Sequence, residues 1–212
     1  MIAQEAYDEL VRRCREATVL HSCGDVLGWD ERTYMPPAGS PHRAEQMALL
    51  ARLVHEMATA PRVGELLAAV EGSPLVKDPD TLEAANVREI RRSYDRATKL
   101  PPALVEELAR VTTQAQQVWQ KARQDDDFAA FRPWLEKIVR LKRQEAEAVG
   151  YDRAKGGVPY DALLDEYEPG ATTAEVTRVF AELRRQLVPL VSAIAASGSP
   201  RSRRAPAISW AA

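Results

Sequence analysis

The sequence has 212 residues, 45% of them hydrophobic and 6% aromatic, with a formal net charge of −2 at pH 7. That length suits one well-buried domain or two small ones sharing an interface, and basic residues interspersed with acidic ones exclude the positive stripe of a nucleic-acid binder. Ala, Leu, Glu, Arg and Gln are abundant while aromatic and β-branched residues are sparse, so the predicted fold class is all-α.

The first periodic segment runs from about Ile2 to Leu27, with Ala6, Leu10, Cys14, Ala17 and Leu20 or His21 recurring every three or four residues. No export signal opens it, because MIAQEAYDEL lacks a basic region followed by an apolar one. Nor does any apolar run approach the roughly 20 residues that span a bilayer, so no membrane partner is expected. Cys14 and Cys23 fall on this helix, about 13 Å apart in rise and on opposite faces, too far for a disulfide. Two reduced thiols fit a cytoplasmic location. The stretch from Gly28 to Pro41, with two glycines and three prolines, is expected to break the helix, and Ser40-Pro41 to start the next. Within the break, Trp29 reads as a core anchor.

The second helix, through about Ala58, presents Ala44, Met47, Ala48, Ala51, Val54 and Ala58 on one side. It also carries VHEMAT, in which His55 and Glu56 begin the zinc-protease pattern H-E-x-x-H but Thr59 stands where the second histidine belongs. Such a motif works because histidines four apart share one helix face, with the glutamate placed to activate the metal's water. Thr59 supplies no imidazole. His42 lies thirteen residues from His55, about 220° around and nearly 20 Å along the axis, and His21 has no histidine near it. The usual hydrolytic zinc site therefore cannot be assembled from this polypeptide alone.

Pro61 opens a third helix that Gly72 stops, and Asp80 with Glu83 has capping-box spacing for a fourth bearing Leu82, Val87, Ile90 and Tyr94. That helix must end before Pro101-Pro102. A fifth runs from about Pro102 to Gln124, with Leu104, Leu108, Val111, Ala115, Val118 and Ala122 facing inward. The triplet Asp125 to Asp127 lacks calcium-loop spacing and reads as helix-start charge for a sixth helix, about Phe128 to Val149, which Gly150 ends. Gly156, Gly157 and Pro159 mark a loop before the short acidic segment Tyr160 to Tyr167. If that segment is helical, Asp161 and Asp165 lie one turn apart, as catalytic carboxylates or metal ligands would. The plainer reading, which is preferred, is that they cap and solubilise a short helix. Thr172 and Glu175 form a capping box for a last helix whose apolar stripe runs Val176, Val179, Phe180, Leu183, Leu187 and Leu190, with a kink expected at Pro189. From 197 to 212 the Ser, Pro and Arg content suggests a flexible tail. Neither a phosphate-cradling glycine loop nor a serine-hydrolase elbow occurs.

YDALLDEYEPG, followed by V-x-x-VF-x-x-L-x-x-x-LVPL from Val176 to Leu190, closely resembles the carboxypeptidase Taq family of metallocarboxypeptidases. LGWDERTYMPP from Leu27 to Pro37, R-A-E-Q-x-A-x-L-A-R-L-x-H-E from Arg43 to Glu56 and DFAAFRPWLEKIVRLKRQEAEAVG from Asp127 to Gly150 resemble it in the same order. The similarity covers roughly residues 5 to 196 and is lost from about Ser197. The resemblance implies an N-terminal portion, 1–196, of an all-helical fold with a deep substrate groove. For complete members it implies removal of single C-terminal residues from peptides, with zinc or cobalt, in a homodimer. It places His55 and Glu56 on an early helix that is not the zinc motif, and puts the true H-E-x-x-H beyond the point where this sequence stops.

The expectations follow. There is no catalytic and no metal-binding residue here, and no cofactor of this chain's own. Trp29, Asp30, Tyr160, Asp161 and Asp165 are structural or groove-wall candidates, and a peptide is a possible ligand. The chain is inactive alone and joins a second copy or a complementary catalytic chain. The alternative is a stand-alone helical binding or regulatory module without chemistry.

Overall fold

The computed structural model describes residues 2–197 and contains eight α-helices among them: α1 (Ala3–Thr33), α2 (Ser40–Ala58), α3 (Pro61–Glu71), α4 (Leu82–Ala97), α5 (Pro102–Gln124), α6 (Phe128–Val149), α7 (Pro159–Leu164) and α8 (Thr173–Ala196). No strand occurs among the described residues. Short 3-10 turns at Pro37–Gly39, Pro74–Val76 and Arg153–Lys155 join them. The divergent tail expected from 197 lies outside the described residues, apart from Ser197 itself, which closes α8.

Two expected boundaries shift. α1 does not stop near Leu27 but runs through Gly28 to Thr33, because one glycine costs a helix interior only about 1 kcal/mol, whereas Pro36-Pro37 cannot be accommodated. The N-cap of α4 is Thr81, not Asp80: the Thr81 hydroxyl accepts the Ala84 N–H at 3.2 Å, while the Asp80 N–H is occupied with the Asp78 carboxylate. The other caps fall where the sequence puts them. Asp127 accepts the Ala130 N–H at 3.1 Å, and Thr172 accepts the Glu175 N–H at 3.2 Å. Pro189 is carried inside α8, which runs on to Ala196.

The helices form a chain of neighbours. α1 packs on α2 and α3, α2 on α5, α5 on α6 and α6 on α7. One core lies between α1, α3 and α4, where Ala6, Leu10, Val63, Leu66, Leu67, Val70 and Val87 are buried together. A smaller one joins α5 and α6 through Leu104, Val111 and Leu141. Ala44 and Ala48 of α2 and Ala115 of α5 are buried, and small side chains of this kind let two helix backbones approach closely.

Arginines tie these layers at their edges. Arg62 of α3 donates to both carboxylate oxygens of Glu9 on α1, at 3.1 and 2.7 Å, and Arg91 of α4 grips Glu71 of α3 at 2.7 and 2.8 Å. Hydrogen bonds from Arg62 and then Arg13 hold the Glu9 carboxyl down from the ordinary 4.5 to about 2. A carboxyl that is more acidic when folded stabilises the fold fully above about pH 4.5, and that contribution is lost as pH falls through about 2. Acid titration followed by circular dichroism should therefore show stability declining across this window. Glu9→Gln should flatten that decline and start from a lower value at neutral pH; an unchanged acid profile would show that the pair contributes nothing.

Candidate functional site

The sequence candidates separate into two places. Trp29 and Asp30 lie on the last turns of α1, and Tyr160, Asp161 and Asp165 on or just after α7. Trp29 is not a core anchor: it is 58% exposed and its ring lies against that of Tyr34, centroids 5.5 Å apart. α1 runs past Gly28, and on its last turns the indole points outward. Asp30 accepts from Arg43 of α2 at 2.6 Å, and a second nitrogen of Arg43 donates to the Leu27 carbonyl. Arg43 thereby fixes the end of α1 to the start of α2. The inward residue here is Glu31, buried with Oε1 lacking a hydrogen-bond partner among the described residues, and burial pushes its carboxyl pKa up. Its position four residues after Leu27, on the same helix face, was the available sequence signal.

A cleft of ≈ 660 Å³ opens between the end of α6, the loop after it, α7 and the first turn of α8, with Lys99 at its edge. Asp161 and Asp165 both line it. Asp161 accepts the Val158 N–H at 2.9 Å and the Thr173 N–H at 2.7 Å, together with the Thr173 hydroxyl. Asp165 accepts the Gly170 N–H at 2.9 Å and Arg92 at 3.4 Å, while Arg92 also donates to the Asp165 carbonyl. Gly170 makes this possible because its φ of 80° lies in the left-handed region. At Gly157 a side chain would meet the Asp152 carbonyl at 2.8 Å, so the loop can close only on a glycine.

These bonds set the electrostatics. The Thr173 hydroxyl foremost holds the Asp161 carboxyl below its ordinary range, and the Gly170 N–H does the same for Asp165. A general acid or base works best with a pKa near the operating pH, and these two are displaced the other way. They are fastening groups, which clamp α7 to the start of α8. Asp161→Ala is expected to cost about 1–2 kcal/mol, the scale of a lost helix cap. Amide exchange at Thr173 should quicken with little change elsewhere; unaltered protection there would remove Asp161 from this role.

The residues that hold α7 from below were missed in the sequence. Arg96 of α4 donates to the Ala162 carbonyl at 2.8 Å and to Glu145 of α6 at 3.1 Å, and Lys142 adds a second ion pair to Glu145 at 2.7 Å. The signal was present: Arg92 and Arg96 lie four residues apart on α4, and both engage the acidic segment YDALLDEYEP.

The Asp161 and Asp165 carboxylates are occupied by protein donors. Among the described residues no group of three or more His, Cys, Asp or Glu side chains converges. His55 is buried, and its carbonyl accepts both the N–H and the hydroxyl of Thr59, at 2.9 and 2.8 Å. Thr59 is the residue that closes α2. His21 is exposed and pairs loosely with Asp25 on its own helix at 3.8 Å. Cys14 and Cys23 are both free. No described helix is long and apolar enough to cross a membrane.

The family model for carboxypeptidase Taq (M32) metallopeptidase matches residues 9–209. Thermostable carboxypeptidase 1 of Thermus thermophilus is 44% identical over 203 residues, 93% of this chain and 40% of the relative. A crystal structure of BsuCP superposes with a TM-score of 0.78 at 30% identity, covering 92% of this chain and 37% of that one. Pyrococcus furiosus carboxypeptidase superposes with a TM-score of 0.72 at 33% identity, covering 92% and 38%. The chain spans about two-fifths of the length of these relatives.

Proposed function

We propose a function for this chain from one premise: it belongs to the carboxypeptidase Taq (M32) metallopeptidase family, of which it is an N-terminal portion. It supplies the helical framework of an enzyme that releases C-terminal residues from peptides with a bound metal, and it does not catalyse that release by itself. The observation that carries this reading is the match to 40% of the Thermus relative's length at 44% identity. A second observation supports it, since the candidate carboxylates at Asp161 and Asp165 are spent on fastening helices. The peptide, the cytoplasm as location and association with another chain belong to the same proposal.

A metal bound in the assembled enzyme would supply polarisation of the peptide carbonyl and activation of water. What the residues here do is narrower. Asp161, Asp165, Arg92 and Arg96 hold α7 and the start of α8 in place, and Arg43 holds the end of α1 against α2.

The test is a C-terminal release assay on blocked dipeptides with added zinc or cobalt, alongside metal analysis of the purified chain. The chain alone is expected to bind no stoichiometric metal and release no residue. Coexpression with the rest of a family enzyme is expected to produce metal-dependent release. Metal-stimulated turnover by the chain alone would overturn the reading. A chain that captures peptides, with no activity under any complementation, would instead favour the stand-alone binding module.

A further inference from the structure

α8 is 24 residues long, and none of its residues is buried. Val179, Phe180, Leu183, Leu187, Leu190 and Ile194 are 46 to 64% exposed. At 100° per residue these six fall within an arc of about 100°, the width of a face that looks into a protein core. Single exposed apolar residues need no explanation, but six contiguous ones on one helix mark an interaction surface. α8 is held to α7 near its start, where Asp161 accepts the Thr173 N–H. Arg185 lies opposite the stripe and Gln186 at its edge, and both engage Glu182.

We infer that this stripe is a docking surface, and that its occupant is the polypeptide corresponding to the part of the family fold that this chain does not span. The inference rests on the proposed function and identifies the surface through which the framework joins the remainder. Two observations select that occupant. The match covers 40% of the Thermus relative, so about 60% of that relative's length lies outside it and the fold of which α8 is a member has further material to place. The face is also as wide as a core-facing one, broader than the a/d seam that would seal a simple pair of helices from two copies.

The test coexpresses the full chain with a tagged polypeptide comprising the rest of the Thermus relative. Leu183→Glu combined with Leu187→Lys serves as the variant, because a Glu followed four residues later by Lys keeps the helix favourable while removing the stripe. The unaltered chain is expected to copurify with the tagged polypeptide in equal amount, and the double variant to reduce recovery at least tenfold with its circular dichroism unchanged. Equal recovery of both would overturn the docking surface. A second copy, or the chain's own residues 198–212, would be the occupant if light scattering or cross-linking showed the variant changing only self-association or intrachain contact; either result also overturns the inference.

If the tagged polypeptide is insoluble alone, a single-chain hybrid replaces the matched 203 residues of the Thermus relative with this chain. The double substitution is expected to lower the hybrid's midpoint by about 10 °C or more while leaving that of the isolated chain unchanged. An unchanged hybrid midpoint would overturn the inference. The two proposals fail separately. Docking that depends on α8 without peptidase activity would remove the proposed function alone, and activity indifferent to the α8 substitutions would remove the docking surface alone.

Discussion

Leu10→Ala is expected to lower the stability of the folded chain by about 3–5 kcal/mol, the range for emptying a fully buried leucine site that cannot collapse. Leu10 has no exposed surface, and apart from Ala6 it is the only fully buried apolar side chain that α1 contributes among the described residues. It inserts between Val63, Leu66 and Leu67 of α3 and Val87 of α4. Truncation would leave the first half of α1 held by Ala6, by the partly buried Tyr7 and Cys14, by the Asn86–Tyr7 hydrogen bond and by the Glu9–Arg62 pair, whose side chains are partly solvated and contribute less. Denaturant unfolding should show a lower midpoint with an unchanged slope. Leu10→Met preserves volume and is expected to cost less than about 1.5 kcal/mol. A cost below about 1 kcal/mol for Leu10→Ala would mean that α1 is not seated on this core.

Arg96→Ala carries the second large effect, about 3 kcal/mol, and acts through charge. Glu145 is 5% exposed and accepts from Arg96 and Lys142. Removing one partner of a buried ion pair costs roughly 3–5 kcal/mol because the remaining charge stays desolvated, and Lys142 keeps the cost at the low end. The Ala162 carbonyl also loses its donor, so α7 should exchange its amides faster than the rest of the molecule. Arg96→Lys is not expected to rescue, since one ammonium cannot serve the Ala162 carbonyl and the Glu145 carboxylate with the geometry of a fork. Combining Arg96→Met with Glu145→Leu removes both charges and should recover most of the loss. If Arg96→Ala proved silent in both unfolding and exchange, α7 would have to be held by something else.

Most of the helices were legible because their boundaries are chemical. Pro61, Pro102, Asp127 and Thr172 start helices for local reasons that need no partner, and Gly72 and Gly150 follow helix ends. Where two local signals competed, the sequence was a poorer guide. Gly28 was weighed as a breaker although only the following prolines are strong enough to be one, and Thr81 outranks Asp80 because its hydroxyl meets the Ala84 N–H. The site was less legible than the fold. The spacing of Asp161 and Asp165 gives their shared face but not the Thr173, Gly170 and Arg92 groups that consume them, since those bonds span 5 to 73 residues of sequence. Likewise the stripe on α8 was visible as an apolar pattern, but a pattern does not reveal whether anything covers it.

α1 is fastened at two stations, Leu10 against α3 and Asp30 with Arg43 against α2, which its rise separates by about 30 Å. A helix held at separated stations behaves as a beam. A load applied at one support is delivered to the other with little lost between, and bending concentrates at the weakest section. That section is Gly28, where a methyl group would touch nothing within 4 Å and an alanine would stiffen the helix by about 1 kcal/mol. The glycine is not there for want of room. The weak section is splinted instead from outside the helix, since Arg43 holds the Leu27 carbonyl on one side of it and the Asp30 carboxylate on the other.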